Sequence, residues 1–173
     1  MIETYKTLEG SKEFKGWKAK HKQWFLSHIF TLDEGESQIG FADLKGEKIT
    51  TFLVKGGKTT IEQTDEIFKE PEKKLLELDL DKVKISQKKA LENASELQQK
   101  EHSKHSVIKK IIILQNLEIG QVYNITFVTN TFHTLNIKVD AQSGEIVEEK
   151  LSSIFDMAQE QSKKDKEKVD YIG

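Results

Sequence analysis

The stretch Phe132 to Val147, F-H-T-L-N-I-K-V-D-A-Q-S-G-E-I-V, constrains the fold of this chain more than any other. Leu135, Ile137 and Val139 alternate with polar residues, as a half-buried strand requires. Asp140-Ala-Gln-Ser-Gly144 then supplies residues that stabilise turns, and a second strand leaves through Ile146 and Val147. The segment predicts a β-hairpin. An earlier run, F-L-V-K-G-G-K-T-T-I-E-Q-T-D-E-I-F ending at Phe68, reads much like the hairpin and its continuation to Phe155. The parallel points to an internal duplication.

At 173 residues the chain can bury a core without covalent staples. That suits the absence of cysteine, which excludes disulfides and thiolate chemistry. No segment approaches the roughly 20 apolar residues of a membrane helix, and the first ten residues lack the apolar stretch of a secretory signal. The sequence therefore predicts a cytoplasmic protein without membrane contact. The 27 basic and 29 acidic side chains nearly balance. Every basic one is lysine, so the guanidinium fork that grips phosphate and guanine edges is missing. With lysines and acids interleaved, nucleic-acid binding is not expected.

Phe14, Trp17, His21, Trp24, Phe25 and His28 recur at helical spacing, which predicts one amphipathic helix from Ser11 to His28 with Ser11 as its cap. Strands are expected at 29–33, 38–43, 48–54 and 59–63, followed by a short helix over 64–69. Pro71, among charged residues, marks a boundary. Leu75 to Val83 reads as an extended connection or an edge strand. Ser86 then opens a second helix to Glu101, with Ala90, Leu91, Ala94 and Leu97 inward. Strands follow at 106–115, 121–129, 131–140 and 145–150, then an apolar helical turn, Leu151 to Met157. From about Gln159 the tail is too polar to order itself.

The second half resembles a PepSY domain, the peptidase-propeptide type of module. Ile85-Ser-Gln-Lys-Lys-Ala-Leu-Glu-Asn-Ala94 looks like the opening helix of that family. Tyr123-Asn-Ile-Thr-Phe127 lies where its central strand falls, and Leu135 to Val147 looks like its Asp-to-Gly hairpin. The resemblance is clearest over residues 83–150, with a degenerate copy in the first half, where Lys55-Gly-Gly-Lys58 replaces the hairpin loop. It implies an α+β fold of two tandem PepSY-like units, each a helix packed on an antiparallel sheet. The expected division is 1–78, 79–157 and a polar tail over 158–173. It also implies a non-catalytic binding or regulatory module with a protein partner, a peptidase being the partner that the family suggests.

Few residues invite chemistry. His102 and His105 lie three apart at a helix end and read as solvated; His133 shares strand phase with Leu135 and reads as a partly buried histidine. Asp33, Glu34 and Glu36, like Asp79 and Asp81, read as solvated turns. Gly56-Gly57 lacks phosphate-loop spacing, and the Asp140 loop has too few oxygens for calcium. No catalytic, cofactor or metal residues are expected. The candidate face for a partner, or for a small apolar ligand or lipid beneath the aromatic helix, is Phe14, Trp17, Trp24, Phe25 and His133.

Overall fold

The computed structural model describes residues 1–32, 36–66 and 74–156. Two short helices, α1 (Ile2–Gly10) and α2 (Lys12–Lys20), precede four strands, β1 (Phe25–Leu32), β2 (Glu36–Ala42), β3 (Lys48–Lys55) and β4 (Lys58–Glu66). A 3-10 turn at Leu80–Lys82 leads to α3 (Gln87–Glu101). Then come β5 (Val107–Leu117), β6 (Gly120–Thr129), β7 (His133–Asp140) and β8 (Ile146–Ser153).

All eight strands belong to one antiparallel sheet in the order β4-β3-β2-β1-β5-β6-β7-β8. This overturns the expected pair of separate helix-on-sheet units. The first strand of each half pairs with the other, Ile29 opposite Leu114 and Thr31 opposite Ile112, so the backbone ladder runs unbroken through the middle. The physical reason is that β1 and β5 would otherwise be apolar edge strands with unpaired backbone groups. Joining them satisfies those groups and carries one buried row, Phe52, Ile39, Ile29, Leu114, Tyr123 and Val139, across the sheet.

The aromatic helix also ends earlier than its periodicity suggests. Ser11 accepts a hydrogen bond from the Phe14 N–H (3.1 Å) and caps α2, as expected, but the helix stops at Lys20 with His21 as its C-cap. Trp24 follows a turn, and Phe25 and His28 lie on β1. Leu26 to Leu32 is rich in β-branched and aromatic residues, and pairing on both sides outweighs a weak helical preference. Phe14 and Trp17 remain on the helix and are buried against Phe41 and Phe52, with ring centroids 5.1 to 5.5 Å apart. Burying such rings contributes roughly 1.5–3 kcal/mol each.

Helix α3 begins with Ser86 accepting from the Lys89 N–H. It lays Ala90 and Ala94, both fully buried, against the sheet, where small side chains let it approach closely. Gln98 closes its far end by donating to the carbonyls of His102 (3.1 Å) and His105 (3.0 Å). The expected strands of both halves are present. Of the expected connection Leu75 to Val83, residues 75–79 are extended, with a bridge from Leu76 to Asn116, and the 3-10 turn follows. Leu151 to Ser153 belong to β8, and the expected helical turn begins only after them, over residues 154–156. Residues 64–66 continue β4, whereas the remainder of that expected helix, Pro71 and the polar tail lie outside the described residues.

Candidate functional site

At the end of the sheet where β1 and β6 begin and β5 and β7 finish, a solvent-open cleft of about 740 Å³ lies beside the helices. One wall is aromatic: Tyr5 of α1, then Trp24 and Phe25 at the entry to β1, with Phe41 behind them. Trp24 stands edge-on to the buried Trp17 at 5.5 Å. Lys18 donates to the Trp24 carbonyl and sits 5.8 Å from the Phe41 ring centroid, tying α2 to this wall.

The connection Glu77 to Lys82 also lines the cleft, and hydrogen bonds to its backbone pin it. The Leu78 N–H donates to the Leu26 carbonyl (2.8 Å), and Asn116 Nδ2 donates to the Glu77 carbonyl (2.8 Å). Gln121 Oε1 accepts the Asp79 N–H, which fixes the orientation of its amide. The other end of that amide, Nε2, is buried with no hydrogen-bond partner among the described residues. A buried donor left unmatched costs about 1–3 kcal/mol.

Carboxylates dominate this wall. Asp79 pairs with Lys82 at 3.2 Å and caps the 3-10 turn by accepting from the Asp81 N–H. The Glu77 and Asp81 carboxylates have no partner among the described residues. Asp140, at the cleft's margin, accepts from the N–H groups of Ser143 (2.6 Å) and Gln142 (2.9 Å). Those backbone donors hold its carboxyl below the usual range.

The predicted face is therefore split three ways. Trp24 and Phe25 line the cleft, Phe14 and Trp17 fill the core beneath it, and His133 stands at the far end of β7. Asp79 and Asp81 lie on a solvent-exposed turn, as expected; that this turn lines the same cleft as Trp24 has no local signature. Of the first acidic group, Glu36 pairs with Lys55 at 2.9 Å, while Asp33 and Glu34 lie outside the described residues.

A second grouping also escaped the sequence. The rings of His105 and His133 lie 4.9 Å apart and those of His102 and His105 6.4 Å apart. His133 Nδ1 bonds to the Thr131 carbonyl (2.7 Å) and His105 Nδ1 to the Thr131 hydroxyl (2.6 Å), while His102 Nε2 meets Glu149. Among the described residues no three His, Cys, Asp or Glu side chains are arranged to hold a metal ion.

No family model matches the chain. No curated protein matches it either. A crystal structure of a "putative lipoprotein" from Clostridium difficile 630 shares its fold, with a TM-score of 0.56. The match spans 81% of this chain and 90% of that one at 15% sequence identity, a level that speaks to the fold alone. Among the described residues, no helix is long and apolar enough to cross a membrane.

Proposed function

We propose that this protein is a non-catalytic binding module that takes an extended segment of a protein partner into the cleft lined by Trp24 and the 77–82 connection. The observation that carries this reading is the cleft itself, lined both by aromatic residues and by a connection whose backbone is already fixed by hydrogen bonds. A preformed wall reduces the ordering cost of binding, and aromatic side chains with a polar rim are the usual anchors of partner recognition. The likeness of residues 83–150 to PepSY domains supports a binding role by analogy, and a peptidase is one partner it suggests. The smaller apolar ligand expected beneath the aromatic helix is less favoured, because Phe14 and Trp17 occupy that space.

Location is part of the proposal. The cytoplasm is the reading from sequence, and a membrane surface is the competitor raised by the lipoprotein description of the structural neighbour. Fractionation of cells producing the native protein separates the two.

The test of binding is selection from a random peptide display library against the intact protein and against Trp24→Ala. Enriched peptides that bind the native chain and lose at least about tenfold in affinity on Trp24→Ala support the cleft. Failure to enrich any Trp24-dependent peptide overturns it.

A further inference from the structure

The charge of the cleft selects among partners, and here the argument rests on the binding role just proposed. The lining carries four carboxylates, Glu77, Asp79, Asp81 and Asp140, against two ammonium groups, Lys18 and Lys82. Both cations are engaged, Lys18 with the Trp24 carbonyl and Lys82 with Asp79. Glu77 and Asp81 are left without partners among the described residues, within the same cleft as the rings of Tyr5 and Trp24.

We propose that the cleft recognises a basic peptide segment, with lysine or arginine side chains held by Glu77 and Asp81 against the aromatic wall. A cation gains from an aromatic face and from a carboxylate at once, and its alkyl stem covers apolar ring surface. An acidic segment meets like charge, and a neutral apolar one leaves the carboxylates uncompensated.

The experiment is calorimetric titration of the intact protein with acetyl-Lys-Ala-Lys-Ala-Lys-Ala-amide, the glutamate counterpart of that peptide, and spermidine. The lysine peptide is expected to bind, more weakly as salt rises, and the glutamate peptide is not. Glu77→Gln combined with Asp81→Asn should weaken the lysine peptide roughly tenfold, two charge contacts being removed. These side chains are otherwise unpartnered, so the fold should be undisturbed. Glu92→Gln with Glu96→Gln, the same charge change on the exposed face of α3, should leave affinity unchanged.

Equal weakening by the α3 pair, tighter binding of the glutamate peptide, or no lysine-peptide binding overturns the proposal. Spermidine binding as tightly as the peptide overturns it in favour of a small-cation site. If display selection yields Trp24-dependent peptides that are not basic, the binding role stands and this inference alone falls.

Discussion

The imidazole of His28 lies against the backbone of Gly40, its direct partner on the neighbouring strand. A Cβ built at Gly40 would fall 2.8 Å from Nδ1 and 2.9 Å from Nε2 of the ring. Ser27, the extra residue of a β-bulge between Leu26 and His28, donates its hydroxyl to the Gly40 carbonyl (3.0 Å). With its one proton so placed, Ser27 must accept from His28 Nδ1–H (3.0 Å), which sets the neutral tautomer. Gly40→Ala should therefore destabilise the protein by about 1–3 kcal/mol through overpacking, read as a lowered denaturation midpoint with an unchanged slope.

Burial of His28 pushes its imidazole below the ordinary value of 6.5. Below that value the unfolded chain takes up a proton that the folded chain refuses. Stability should hold above about pH 6.5 and decline as pH falls from there towards the depressed folded value. Urea melts between pH 8 and 5 should show this loss, and His28→Gln should reduce it. An identical pH profile for that variant would sink the assignment.

Tyr123 is buried and donates its hydroxyl to the Ile85 carbonyl at 2.9 Å, holding the entry to α3 over β6. Tyr123→Phe should cost about 1–2 kcal/mol, because a carbonyl loses its donor. Burial pushes this phenol up to about 12, so the folded chain keeps a proton that the unfolded chain loses near pH 10. The resulting stability should disappear between those values, which alkaline ultraviolet titration can follow beside denaturation.

Ile29 and Leu114 face each other across the join of the two halves, both fully buried. Alanine at either position should cost about 2–5 kcal/mol. The whole molecule should still unfold in a single transition monitored by circular dichroism and tryptophan fluorescence. Two separate transitions in either variant would contradict a mechanically continuous sheet.

Gly144 closes the β7–β8 hairpin at φ +83°, and an added Cβ would meet Asn93 Nδ2 at 3.2 Å, the atom that donates to the Gly144 carbonyl. Gly144→Ala should cost about 1–3 kcal/mol from backbone strain alone, measurable by thermal melting.

The elements were largely written in local chemistry. Asp140 to Gly144 announces its turn, and Ser11 and Ser86 cap the helices expected after them. The single sheet was not legible, because alternation reports which face of a strand is buried and nothing about which edge is paired. Ile29 and Leu114 carry no mark of each other. Trp24 and Phe25 misled for a related reason: they continue the helical phase of Phe14 and Trp17 by coincidence, and only the cap at His21 breaks it. The cleft was invisible because its aromatic and acidic walls come from distant segments that no short motif joins.

The pairing of β1 with β5 also dictates an order of events on the ribosome. Strands β1 to β4 can associate as soon as they emerge, since their contacts are between sequence neighbours. The inner edge of β1 must then wait until residue 117 has been synthesised. Throughout that interval an apolar strand stands open to any other nascent or misfolded chain. The most central ladder of the finished protein is thus its most vulnerable surface during manufacture, and slowing translation between residues 66 and 107 would prolong the exposure.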